Sequence, residues 1–199
     1  MRHNPNAKPR CPRCRLHLDL CVCALSPALD LQTKVVVIMH YAEERRKSNS
    51  GRLAGLVLRN SEVHVRGRRD RPAPPSSPDL YPNRLLLFPG PTSQELNEEL
   101  LSRLPRPLTL LAADGNWNQA SHMVKREPLM KEALRVHLPA GDLTRYRLRR
   151  AQQEEHRICT FEALSRALGI IEGINIQLAM ERFFDEWVSR SLRMRGLPV

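Results

Sequence analysis

No stretch of this chain approaches the roughly 18 uninterrupted apolar residues of a membrane-spanning helix, so a membrane role is not expected. The N-terminus, MRHNPNAKPRCPRC, is basic but has no apolar h-region, and a cytoplasmic protein is the expectation. There is no GxxxxGK[ST] and no GxGxxG, so the common phosphate-cradling loops are excluded, and no internal repeat is present. Acid is the scarcer charge: 21 Asp and Glu stand against 32 Lys and Arg, a formal net charge of +11. Such an imbalance favours a polyanionic partner, of which nucleic acid is the usual one. The excess is clustered in ERRK (44–47), RGRRDR (66–71), VKRE (124–127) and RYRLRR (145–150).

What is present points to a folded α/β protein. The 199 residues suffice for one domain of ordinary size with a buried core. KVVVIMH (34–40) is a β-branched run of strand length, as in strands covered on both faces. SEVHVRG (61–67), RLLLFPG (84–90), PLTLLAAD (107–114) and a short piece of EALRVHLPAG are further strand candidates. Helical spacing appears in SGRLAGLVLRN (50–60), in SQELNEELLSRL (93–104) opened by Ser93, and from Trp117 to the stop at Pro128. DRPAPPSSPDLYPN (70–83) is a proline-rich loop. The C-terminal third reads as two helices, TFEALSRALGII (160–171) and NIQLAMERFFDEWVSRSL (175–192). In the second, Ile176, Met180, Phe183, Phe184, Trp187 and Leu192 share one apolar face, read as core. Strands alternating with helices imply a layered, mostly parallel sheet, and in such sheets ligands bind beyond the carboxyl ends of the strands.

Four of the five cysteines fall in CPRCRLHLDLCVC: Cys11, Cys14, Cys21 and Cys23. Two close pairs can deliver four thiolates to one tetrahedral ion, read here as a structural zinc knuckle in residues 1–30. Four sulfurs fill a zinc shell, so the knuckle either supports the fold or presents Arg13, Arg15 and His17 to RNA. Cys159 is expected to be a small core or cap-region residue.

At the carboxyl edge the chain carries LLAADGNWNQA. Asp114 sits where a strand becomes a helix, as a site carboxylate or as the helix N-cap, and Trp117 is either a site residue or a core anchor. His40 and FPGPTS follow other strands to the same edge. Gly115 would let backbone approach a ligand. Thr160 is a plausible cap for its helix, with Glu162 in the first turn.

The DGNW corner with its following NQA resembles the DxTW motif of the DTW-domain family. Other pieces keep that family's order: CPRC…CVC, then MHYAEE…NSGRL, similar to a His-containing strand followed by N-T-G-R-L, then LLLFPG. After DGNW, RLRR…CTFEA resembles a basic segment leading to an S-T-x-E-A helix start. Asn116, Ser50 and Cys159 replace Thr, Thr and Ser of those motifs.

The resemblance implies a tRNA-uridine aminocarboxypropyltransferase. S-adenosylmethionine would be the co-substrate, its 3-amino-3-carboxypropyl group going to N3 of a uridine with release of 5′-methylthioadenosine. The variable loop of tRNA is the favoured target. The implied fold is SPOUT-related, an α/β sheet with a knotted C-terminal region, over residues 31–199. On this reading Asp114 is the base or proton-orienting group and Trp117 stacks on the target base or the adenine. Gly115, Asn116, Thr160 and Glu162 face the co-substrate; Arg52 pairs with a carboxylate or an RNA phosphate, and Lys125, Arg126, Arg147 and Arg149 meet RNA. No obligate protein partner is inferred. The competing readings are the same chemistry on ribosomal RNA, SPOUT-type methyl transfer, and a non-catalytic zinc-containing RNA-binding protein.

Overall fold

A computed structural model describes residues 8–68, 70, 76–146 and 158–198. Six strands form one sheet: β1 (Lys34–His40), β2 (Ser61–Arg66), β3 (Arg84–Leu87), β4 (Gln94–Glu95), β5 (Thr109–Asp114) and β6 (Leu134–His137). Their order is β2-β1-β5-β3-β6-β4, and every pairing is parallel. β1 and β5 lie inside the sheet, which is why their sequences read as unbroken apolar runs rather than alternations.

Alternate residues of these strands feed two separate cores. Val36, Ile38, Leu86 and Leu111 point to the face covered by α4 (Trp117–Arg126) and α5 (Pro128–Lys131), where Met123, Val124, Leu129 and Met130 meet them. Val35, Val37, Leu85, Leu110 and Ala112 point to the opposite face, covered by α6 (Thr160–Glu172) and α7 (Ile174–Arg193). The predicted stripe of α7 holds: Met180, Phe183, Phe184, Trp187 and Leu192 are buried and Ile176 packs beside them. Cys11, Cys14, Leu16 and Val22 belong to this same core, so the cysteine segment is packed onto the sheet domain.

Because all strands run one way, the carboxyl edge gathers the ends of β1, β2 and β5: His40 is level with Arg66, and Met39 with Asp114. α6 crosses the sheet between its edges. Its first residue, Thr160, reaches Asp114 at the carboxyl edge, and its last, Glu172, accepts from the Thr33 amide (2.7 Å) and hydroxyl (2.5 Å) at the amino edge. The positive end of this 13-residue helix therefore faces the Asp114 carboxylate.

Several local expectations are corrected. The helix expected over 50–60 is a 3-10 turn (Gly51–Leu53) running into the single α-turn α2 (Ala54–Val57), with Leu58 already extended. The helix expected from Ser93 starts later: Gln94 and Glu95 pair with Val136 and His137 as β4, and α3 (Glu98–Ser102) is capped by Asn97, whose side chain accepts from the Leu100 amide at 2.9 Å. A sheet edge overrides helical spacing there. β3 ends at Leu87, before the Phe-Pro-Gly turn. After β1 a four-residue helix, α1 (Tyr41–Glu44), was not anticipated. Among the described residues no helix is long and apolar enough to cross a membrane.

Candidate active site

Asp114 ends β5 and is 4% exposed, yet it does not cap the following helix. That role falls to Asn116, whose Oδ1 accepts from the Gln119 amide (2.9 Å) while Gln119 Oε1 accepts from the Asn116 amide (2.9 Å). Threonine, which the motif has at this position, is also an N-cap residue, so Asn116 keeps the capping role. It also leaves Asp114 available for other partners. Asn49 Nδ2 donates to its Oδ2 at 2.5 Å, and the Thr160 hydroxyl donates to its Oδ1 at 2.6 Å.

Asn49 is itself oriented. Its Oδ1 accepts from the Arg52 amide at 3.1 Å, so the amide nitrogen is the end that faces Asp114. Gly51, from the same loop, lies against the carboxylate so closely that a Cβ there would fall 2.5 Å from Asp114 Cγ. Asn49 and Ser50 are buried beside it. Three segments far apart in sequence, NSGRL, DGNW and CTFEA, thus converge on one carboxylate.

The other named residues take different places. Thr160 was expected as a cap; Cys159 is the N-cap of α6, and the Thr160 hydroxyl serves Asp114 instead. Burial pushes the Cys159 thiol well above its ordinary range, so it is an inert packing group. Glu162 is buried and accepts from the Cys159 amide (3.0 Å), the Thr144 hydroxyl (2.7 Å) and the Arg145 amide (2.5 Å). It ties the loop before the last basic run to the start of α6. Arg52 Nη2 donates to the carbonyls of Glu43 (3.2 Å), Glu44 (2.8 Å) and Arg46 (3.3 Å), closing the end of α1, and burial lowers its pKa. A side chain at Gly115 would meet Gln119 at 3.0 Å and His40 at 3.5 Å, so its glycine also serves the packing of this corner.

Two aromatic groups line the edge. Trp117 is 60% exposed, which removes the core-anchor alternative, and it stacks on Phe88 with ring centres 5.0 Å apart at 14°. Phe88 was not singled out from sequence, although its FPG turn placed it at this edge. His40 Nδ1 accepts from the Ala42 amide at 3.2 Å and burial lowers its pKa, so the imidazole is held neutral with its proton on Nε2.

The basic runs are less free than their sequence suggests. Arg46 pairs with Glu43 (2.9 Å), Arg68 with Glu44, Arg66 with the buried Glu127 (2.9 Å), and Arg145 with Glu181 and Asp185 on α7 (2.9 Å each). Lys125 and Arg126 are exposed in the last turn of α4, and Arg147 and Arg149 lie outside the described residues.

The four cysteines gather as their spacing predicts. Their sulfurs lie within 4.8 Å of one another, with Cys11 to Cys23 at 3.6 Å and Cys14 to Cys21 at 3.7 Å. A zinc–sulfur bond of about 2.3 Å gives a tetrahedral edge of about 3.8 Å, so the set fits a structural zinc. Burial opposes ionisation of Cys11, but amide donors from Cys14 and Arg13 prevail and bring its pKa to about 6. The cluster is clamped to α7: Trp187 Nε1 donates to the Cys14 carbonyl (3.1 Å) and Arg190 to the Cys21 carbonyl (2.8 Å).

A cleft of about 390 Å3 lies at the opposite, amino edge, lined by Lys34, Glu62, Tyr81 and Thr109 among others. Glu62 is bound by Lys34 (2.6 Å), Tyr81 (2.7 Å) and His64 (2.8 Å), which hold its pKa at about 2. The buried carboxylate and exposed aromatics at the carboxyl edge make the stronger candidate for chemistry.

Comparison with known proteins bears on that edge. The chain is 29% identical over 174 residues to the tRNA-uridine aminocarboxypropyltransferase 2 of Macaca fascicularis, covering 84% of this chain and 58% of that protein. It is 27% identical over 175 residues to the Drosophila melanogaster protein of the same name, covering 84% and 68%. The tRNA-uridine aminocarboxypropyltransferase A of Arabidopsis thaliana is 27% identical over 149 residues, 62% of this chain and 53% of that protein. The chain thus spans little more than half the length of two of these relatives. No solved structure matches it. The DTW domain matches residues 8–192, a span holding the cysteine cluster and all three segments that meet at Asp114, and the chain belongs to the DTW domain family.

Proposed function

We propose that the protein transfers the 3-amino-3-carboxypropyl group of S-adenosylmethionine to N3 of a uridine in tRNA, the variable loop being the favoured place. The observation that carries this reading is the convergence of NSGRL, DGNW and CTFEA on the buried Asp114 carboxylate. The names of the relatives support the reaction class.

S-adenosylmethionine supplies an activated sulfonium leaving group, so the chain's own task is to choose which carbon meets the nucleophile and to manage one proton. Uridine N3 forms a bond to Cγ of the methionine moiety, the Cγ–sulfur bond breaks, and its electron pair leaves with 5′-methylthioadenosine. The N3 proton departs at the same time. Asp114 accepts or orients that proton, and its fixed acceptor geometry serves the task. The exposed face of the Trp117–Phe88 stack offers a flat apolar surface to the target base or the adenine. An unpaired loop uridine reaches such a surface at least cost. Lys125, Arg126, Arg147 and Arg149 supply phosphate contacts.

The reading also takes residues 1–30 as a zinc-binding segment seated on a transferase domain of residues 31–199, in the cytoplasm, where thiols remain reduced. It carries a SPOUT-related, knotted fold. The parallel sheet crossed by α6 is compatible with that fold, and the connection 147–157 lies outside the described residues.

The test is incubation with bulk tRNA and S-adenosylmethionine, followed by mass spectrometry of the digested nucleosides. Aminocarboxypropyl-uridine is expected, and Asp114→Asn should reduce its formation at least tenfold, the lower end of a lost general base. Methylated uridine would point to SPOUT-type methyl transfer. RNA binding without either product would point to a non-catalytic binder.

A further inference from the structure

We infer that Asn49 and Thr160 are positioning residues that hold the Asp114 carboxylate for reaction, and that the NSGRL loop is a cradle for this side chain rather than a co-substrate or phosphate site. The inference rests on the transfer reading for its kinetic test but not for its structural one.

The sequence alone casts Thr160 as a contact for S-adenosylmethionine and Arg52 as a contact for anions. The geometry assigns both to other work. Each Asp114 oxygen has a side-chain donor from a different element: Asn49 from the loop after α1, and Thr160 from the first turn of α6. Two donors on two oxygens restrain rotation about the Cβ–Cγ bond, which one donor would not. The third wall is steric, since Gly51 leaves no space for the carboxylate to move toward the loop.

The cradle is locked from behind. Asn49 cannot turn its amide without losing the Arg52 amide bond, and Arg52 is held by three carbonyls at the end of α1. Ser48, the next residue along, has its carbonyl bound by the Tyr146 hydroxyl at 2.9 Å. Thr160 stands at the start of α6, where Glu162 binds the Cys159 amide and the loop at Thr144 and Arg145. Asn49 and Ser50 are buried, and Leu53 is fully buried in the core.

A co-substrate contact and a positioning contact separate in kinetics. Asn49→Ala, Thr160→Val and Thr160→Ser should be made in the whole chain, supplied with zinc, and assayed with tRNA and S-adenosylmethionine. The first two should lower kcat by about tenfold or more and leave KM for S-adenosylmethionine within about twofold, because misplacement of a reacting group is felt in the chemical step. Thr160→Ser keeps the hydroxyl and should recover most of the loss. A raised KM with kcat unchanged would overturn the inference, as would wild-type turnover in Thr160→Val. A second readout needs no turnover: the 13C signal of the Asp114 carboxyl, assigned by its absence in Asp114→Asn. A displaced signal in Asn49→Ala and Thr160→Val supports the cradle even if the wild-type protein transfers nothing, an outcome that would sink the transfer reading alone. An unmoved signal in folded variants refutes the cradle.

Discussion

Gly51→Ala is the smallest change that should separate the site from the fold. Its backbone lies outside the left-handed region, so alanine meets no conformational penalty of its own. The new methyl would sit 2.5, 2.6 and 2.7 Å from Cγ, Oδ2 and Oδ1 of Asp114. Ordinary contact lies near 3.5–4.0 Å, so the carboxylate or the loop must retreat by about 1 Å. Either movement breaks the geometry of the Asn49 and Thr160 bonds, which stand at 2.5 and 2.6 Å. Overpacking of this kind costs about 1–3 kcal/mol, a fall in Tm of several degrees for a domain of this size. Misplacement by about 1 Å can cost about a hundredfold in rate. The variant should therefore fold, melt slightly early by circular dichroism, and transfer the aminocarboxypropyl group about a hundredfold more slowly. Gly90→Ala is the control, because a Cβ there meets nothing within 4 Å. Wild-type turnover in Gly51→Ala would refute the claim that the position of Asp114 matters.

Trp117→Ala should weaken substrate binding by about 1–3 kcal/mol, the worth of one stacked base, with little change in Tm because the ring is 60% exposed; Trp117→Phe should bind better than alanine in a filter assay. Removing metal with a chelator, or replacing Cys14 by serine, should lower Tm and alter the fluorescence of Trp187, whose indole donates to the Cys14 carbonyl. Glu62 has its pKa held down from 4.5 to about 2, first by Lys34. Its contribution to stability is complete above the unfolded value of 4.5 and disappears as pH falls toward 2. Glu62→Gln should therefore lose stability at neutral pH and show a shallower decline between those limits, read by acid titration of the melting temperature.

How far the sequence reveals this molecule depends on how local each feature is. The β-branched run of β1 was readable because burial on both faces selects its composition directly. The cysteine cluster was readable because four thiols in thirteen residues are brought together by local chain geometry. β4 was not: two exposed residues become a strand only because β6 offers them a ladder. Asp114 and Trp117 were recognisable at the corner of β5, but the role of Asn49 depends on a contact across 65 residues that no spacing announces. Thr160 was noticed as a cap, a role that falls to Cys159, since a capping pattern is local while its bond to Asp114 is not. The basic runs overstated the free charge, because Arg46, Arg66, Arg68 and Arg145 find acids from other segments or from their own turn.

The most direct test of the account is the fate of label in S-adenosylmethionine carrying one isotope in the methionine carboxyl and another in the methyl group. Aminocarboxypropyl transfer sends the carboxyl label into tRNA and leaves the methyl label in 5′-methylthioadenosine, and Asp114→Asn should suppress both together. Methyl label in the RNA, or carboxyl label that never leaves the small-molecule fraction, would contradict it.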